Sequence, residues 1–136
     1  MTGFPRYEYK YRVYYEHTDG GGVVYHSRYL NFFERARTDW LRDNGMVQSK
    51  MQKELNMIYV VTAADIQFKK PARMDDALTV SSQLVKIKRA SMDIYQEMHN
   101  QDKQLLATVL IKAACLQADN FRVVALPKKL REDLMK

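Results

Sequence analysis

The chain is poor in the residues that most often carry cross-links, metals or cofactors. Its single cysteine, Cys115, excludes an intrachain disulfide framework. Because Cys115 sits in an apolar stretch, it reads as a core thiol and a poor nucleophile. The three histidines, His17, His26 and His99, show no HExxH or other metal spacing, and no cysteine pair supplements them, so no metal is expected. Glycine is scarce too, with five in all, and Gly20, Gly21 and Gly22 are contiguous, which fits neither a Walker loop nor a dinucleotide fingerprint. No apolar run approaches the roughly 20 residues that span a bilayer. Residues Met1 to Lys10 carry Arg6, Glu8 and Lys10 without an apolar segment, which excludes a secretory leader. These absences point to the cytoplasm and leave open only peripheral contact with a membrane.

Charge narrows the partners. The formal net charge is +6, but the cations come in small groups: Lys69, Lys70 and Arg73; Lys86, Lys88 and Arg89; Lys128, Lys129 and Arg131. There is no long basic tract and no nucleic-acid-binding motif, so the expected counterpart is a phosphate-bearing small molecule or an acidic protein.

With 46% hydrophobic and 28% charged residues in 136, the chain suits one soluble domain over 1–136 with a single real core. Residues 7–16, dense in tyrosine, read as a first strand. Tyr29, Leu30, Phe33, Ala36, Trp40 and Leu41 recur at helical spacing, with Ser27 as the expected N-cap and Gly45 as the stop. A polar stretch at 47–55 reads as a short helix or a loop. Strands follow at 57–70, with Val60, Thr62, Ala64, Ile66 and Phe68 in alternation, and at 77–88, 91–99 and 104–117. Residues 127–135 read as a short helix or tail. One amphipathic helix against five antiparallel strands is an α+β, two-layer solution.

The richest segment is Tyr14 to Ser27. It sets Asp19 in a glycine-rich turn and then enters the long helix. A helix start supplies unpaired backbone N–H groups and the positive end of a dipole. A carboxylate beside such an oxyanion-binding end suits acyl transfer, although a strand-to-helix turn needs no more than the same glycines.

The block from Tyr14 to Arg37, YYEHTDGGGVVYHSRYLNFFERAR, resembles the signature of the hotdog-fold thioesterases of the 4-hydroxybenzoyl-CoA thioesterase class. Within that class it is most similar to the YbgC-type acyl-CoA thioesterases linked to the bacterial Tol-Pal system. Residues Phe68–Val80 and Ala125–Glu132 look like the same subfamily. The resemblance implies a curved antiparallel sheet wrapped around the long helix, with dimers or tetramers built by joining sheets edge to edge. It also implies active sites that draw on both subunits.

By that resemblance Asp19 is the catalytic carboxylate, as nucleophile on the thioester carbonyl or as general base on water. One carboxylate suffices because a thiol of pKa roughly 8.5 leaves readily as thiolate. His26 aligns with the residue whose backbone N–H polarises the thioester carbonyl, a donation worth roughly 3 kcal/mol. Its side chain is either a hydrogen-bond partner or a packing ring. Tyr25 lines the acyl site or packs on the sheet, and Gly22 leaves room for substrate or shapes the turn. Glu34 is expected in an ion pair or orienting water, not in catalysis. Family members often carry Asp where this chain has His17, which either pairs with Asp19 or solvates the loop. Lys88, Arg89 and Ser91 fall at a strand turn where the family contacts the nucleotide and phosphates of coenzyme A. Coenzyme A belongs to the substrate, so no separate cofactor is expected. An acyl carrier protein is a further partner that the subfamily suggests. The rival reading is a non-catalytic protein that binds acyl thioesters or acyl carrier protein within the Tol-Pal or lipid-synthesis machinery. A hotdog dehydratase fits the Asp-Gly loop less well.

Overall fold

A computed structural model describes residues 4–135. Residues 1–3, where the leader reading begins, and residue 136 lie outside the described residues. Strand β1 spans Arg6–Arg12 and alternates charged residues with tyrosines. Tyr7, Tyr9 and Tyr11 pack against the core, Tyr7 lying 6.3 Å from Trp40 and Tyr11 6.3 Å from Phe32, ring to ring. The strand stops four residues earlier than its tyrosine content predicts. Val13 leaves the ladder to exchange backbone hydrogen bonds with Asp75 and Asp76, and Tyr15–His17 close a short 3-10 turn.

Helix α1 spans His26–Asp43 and buries Tyr29, Phe32, Phe33, Ala36, Arg37, Trp40 and Leu41. Two expectations are corrected here. Tyr25, not Ser27, holds the N-cap position, and no side chain caps the helix. Phe32 is in the core, whereas Leu30 is 40% exposed, because it shares a flank with Glu34 and Thr38 four and eight residues on. Gly45 ends the helix with φ +85°, a left-handed conformation that glycine adopts without strain. Helix α2 follows at Gln48–Leu55 and α3 closes the chain at Lys128–Leu134.

Strands β2 (Met57–Phe68), β3 (Ala77–Ile87), β4 (Ser91–His99) and β5 (Leu105–Gln117) complete one antiparallel sheet in the order β1-β3-β4-β5-β2. Its inner face holds α1. Met92, Ile94, Gln96 and Met98 alternate inward along β4, and β5 adds Ala107, Val109, Ile111, Ala113 and Cys115. Burial pushes the Cys115 thiol pKa up, so it stays protonated in the core. The arrangement is the α+β hotdog that the resemblance implied.

Strand β2 is an edge, and its alternation differs from the one read in sequence. Tyr59 and Val61 pair with the buried Cys115 and Ala113, while Ala64, Ile66 and Phe68 pair with the buried Ile111, Val109 and Ala107. A bulge between Val61 and Ala63 switches the inward set from odd to even positions. The predicted alternation therefore holds only beyond Thr62.

Helix and sheet are joined by a buried polar knot. The Gln96 amide donates to the Phe33 carbonyl (3.0 Å) and to Ser82 Oγ (2.9 Å), and its oxygen accepts from Arg37 Nη1 (2.9 Å). Replacing Gln96 by methionine keeps the volume but leaves these groups unsatisfied. We expect Gln96→Met to lose about 3 kcal/mol in urea unfolding; an unchanged midpoint and slope would show that the knot contributes nothing.

Candidate active site

Residues 18–24 form a tight loop that folds back against the corner between β2 and β3. Asp19 N–H donates to the Val23 carbonyl (3.1 Å), Tyr25 N–H to His17 (3.1 Å), Val24 N–H to Ala72 (2.8 Å) and Met74 N–H to Gly22 (3.0 Å). The Tyr29 hydroxyl accepts from Ala72 N–H (2.9 Å), so the first turn of α1 is tied to the same corner. Gly20 and Gly22 take φ of +89° and +92°, which side chains resist, and the space beside both is open.

Asp19 is exposed, and its Oδ1 accepts from Gly21 N–H at 2.7 Å. A Cβ on Gly21 would sit 3.1 Å from that oxygen, a tight contact that the carboxylate would have to relieve by shifting a few tenths of an ångström. A few residues further on, the N–H groups of His26 and Ser27 open α1 and have no partner among the described residues. One exposed carboxylate thus precedes, by seven residues of tightly bonded loop, two free amides and the positive end of a helix dipole.

Aromatic rings frame the helix start. The Tyr25 and His26 rings lie 4.4 Å apart, and Phe68, at the end of β2, meets Tyr29 edge-on at 5.1 Å and His26 at 6.5 Å. Phe68 remains 51% exposed, which leaves an apolar wall beside the loop. Asp19, Gly22, Tyr25 and His26 are therefore gathered at one end of the sheet.

Lys88, Arg89 and Ser91 are not. They form the β3–β4 turn, closed by Lys88 N–H to the Ser91 carbonyl (2.8 Å), and Arg89 accepts from Leu126 N–H. The Asp19 loop packs at the Ala77 end of β3 and this turn caps the other, roughly 35 Å away along the strand. Within one chain the two groups do not meet.

A profile of the Thioesterase-like superfamily matches residues 13–134. The chain belongs to that superfamily. It is 38% identical over 120 residues to the acyl-CoA thioesterase YbgC of Haemophilus influenzae, covering 88% of each chain. It is 32% identical over 119 residues to the long-chain acyl-CoA thioesterase FadM of Escherichia coli, covering 87% of this chain and 89% of that one. Among solved structures, a probable thioesterase from Bartonella henselae superposes with a TM-score of 0.85 at 30% identity, over 90% of this chain and all of that one.

His17 does not pair with Asp19 in this thioesterase-like chain. It is buried, its ring lies 4.7 Å from that of Phe32 at a tilt of 57°, and its Nδ1 accepts from Tyr14 N–H (2.9 Å). Burial lowers its pKa, aided by Arg28 and Arg35 against a raising effect from Glu16. Glu34 is exposed and in no ion pair among the described residues. No described helix is long and apolar enough to cross a membrane, and no described cluster of His, Cys, Asp or Glu is poised to hold a metal.

One feature escaped the sequence reading. Glu34, Arg37 and Thr38 of α1, Gln48 of α2, and Tyr59, Val60 and Val61 of β2 line a cleft of about 290 Å³. Arg37 is only 5% exposed, and its Nε and the Tyr59 hydroxyl are both buried outside hydrogen-bond geometry. Burial lowers the Arg37 pKa and pushes that of Tyr59 up to about 12. The signal was a cation on the apolar stripe, four residues after Phe33 and three before Trp40.

The His17 geometry predicts an acid-sensitive fold. The native chain holds this proton less tightly than the unfolded one, so the stability His17 confers is complete above about pH 6.5 and falls as pH drops below it. Melting temperatures between pH 8 and 5 should decline below 6.5, and His17→Asn should flatten that decline. An identical slope in the variant would assign the effect to another group.

Proposed function

We propose that the chain hydrolyses acyl-CoA thioesters, with Asp19 as the reacting carboxylate and the His26 backbone N–H as the oxyanion donor. The observation that carries this reading is the pair of unpartnered amides opening α1 beside the loop that presents Asp19. The thioester oxygen meets these amides, and charge that develops on it is met by hydrogen bonds and the helix dipole. Asp19 either attacks the carbonyl carbon or takes a proton from the attacking water. In the first route the C–S bond breaks as the thiolate leaves, and water then hydrolyses the mixed anhydride. Either way water and thioester become carboxylic acid and thiol, and coenzyme A enters and leaves with the substrate.

Tyr25 and Gly22 shape the mouth of this site, and Phe68 offers a face to the acyl group. Its length is set by how far the pocket runs, and relatives named for acyl-CoA thioesters, one of them long-chain, support the substrate class. Acyl carrier protein thioesters fit the same chemistry, and the basic groups near the loop, Lys69, Lys70 and Arg73, suit an acidic carrier. A lone buried thiol suits a cytoplasmic protein.

The far turn enters through a second copy. The outer edge of β2 has no partner among the described residues, and Val61 and Phe68 expose apolar surface there. Two such edges joined about a twofold run antiparallel. That arrangement carries Lys88, Arg89 and Ser91 of the partner subunit toward the end that holds this copy's Asp19, where they meet the phosphates of coenzyme A. A dimer is the smallest assembly this requires, and a tetramer adds nothing to the site.

The test is free-thiol release from short, long and aromatic acyl-CoAs, with circular dichroism to check folding. Asp19→Asn should lose at least about 100-fold in kcat, while His26→Ala should stay within about tenfold because the amide remains. Turnover that survives Asp19→Asn would remove Asp19 from the mechanism. No turnover on any thioester, with tight binding, would favour a binding protein instead.

A further inference from the structure

Between the loop that carries Asp19 and the first turn of α1, one residue is bonded on both sides. Ala72 is buried, and its carbonyl accepts from Val24 N–H (2.8 Å) at the end of the loop. Its own N–H donates to the Tyr29 hydroxyl (2.9 Å) on the helix. Residues 25–28, which include the free amides of His26 and Ser27, are the segment held between these two bonds. The corner beneath is itself fixed, because the Asp76 carboxylate accepts from Arg73 N–H (2.9 Å) and from the Gln101 amide (3.0 Å).

The two bonds differ in kind. Val24 joins the corner through main chain, which any residue but proline could do. The Tyr29 bond depends on one side-chain oxygen, on a ring only 4% exposed whose volume a phenylalanine would fill equally well. The other buried rings of α1, those of Phe32, Phe33 and Trp40, carry no hydroxyl. A buried main-chain N–H without an acceptor is costly, so the phenol oxygen supplies what Ala72 would otherwise lack. Tyr29 lies three residues after His26 and so on the same face of the helix. Phe68 meets the Tyr29 ring edge-on at 5.1 Å but is itself half exposed, so that contact alone leaves the turn free to tilt.

We propose that Tyr29 is a positioning residue for hydrolysis, its hydroxyl fixing the tilt of the first turn so that the His26 amide points at the thioester oxygen. This rests on the reading of the site given above and adds the residue that aims its oxyanion donor. Tyr29 acts through Ala72 and the helix and touches no reacting atom. Amides aimed at developing charge favour the transition state over the bound substrate, and small errors of placement weaken that preference. Loss of aim therefore lowers kcat and leaves KM alone.

The test is Tyr29→Phe, assayed by free-thiol release from short, long and aromatic acyl-CoAs and by NMR line widths of the amides of residues 25–28. We expect kcat to fall at least about tenfold, by a similar factor on every substrate, with KM within about twofold and the amide lines broadened. Leu130→Val is the stability control, since Leu130 sits on α3 beside Gly45, at the far end of α1. It should lower the melting temperature comparably and keep the wild-type kcat. An unchanged kcat in Tyr29→Phe, or an equal loss in Leu130→Val, would overturn the proposal and reduce the bond to fold stability. A raised KM with kcat intact would overturn it by placing the hydroxyl on bound substrate, and a loss confined to one acyl class would make Tyr29 a pocket wall instead. A wild type inert on every thioester would overturn the reading of the site and this role together, whereas an active wild type with an unchanged Tyr29→Phe overturns the role alone.

Discussion

The placement of α1 depends on the buried amide of Gln96. Apolar contact alone would let a helix slide or roll on the inner face of a sheet, because hydrophobic burial has no direction. Gln96 supplies direction at three points: a main-chain carbonyl of α1, a side chain one turn later, and a serine on the adjacent strand. The Phe33 carbonyl has two lone pairs, so it can take this bond while serving the helix ladder. The amides at the start of the helix are carried on a rod whose height and rotation this knot sets.

The second anchor is at the helix start, where Tyr29, Val24 and Gly22 are tied to the corner of residues 72–74. These are mostly main-chain bonds, which explains how an exposed loop with three glycines holds a defined shape. It also explains the absence of a side-chain cap on α1. A serine or aspartate oxygen in that place would occupy the very amides that the proposed chemistry needs free.

Much of this was legible in the sequence. Element order, the helix stop at Gly45 and the inward set of β4 followed from periods of 3.6 and 2 together with one glycine. The gathering of Asp19, Gly22, Tyr25 and His26 was readable because all lie within eight residues of chain. What could not be read depended on contacts far apart in sequence. His17 turned from Asp19 because Phe32 and the Tyr14 amide claimed its ring. The strand expected through residue 16 ended at Arg12 because residues 75 and 76 claimed Val13. Arg37 was passed over because only the fold shows that Gln96 and Tyr59 lie beside it. Lys88, Arg89 and Ser91 were readable as a strand turn, but only the topology shows that this turn lies at the opposite end of β3 from the Asp19 loop.

The bulge in β2 has a consequence for how such a chain tolerates insertion and deletion. Removing one residue at Thr62 would leave a ladder that is still continuous, so the edge would look intact by length and hydrogen bonding. Yet the strand would have lost its change of phase. Either the Tyr59 set or the Ile66 set would turn to the outer face of the sheet, and no side-chain substitution nearby could restore both sets. The extra residue works as a parity bit: it keeps the Tyr59 end and the Phe68 end of a single strand on the same face of the sheet.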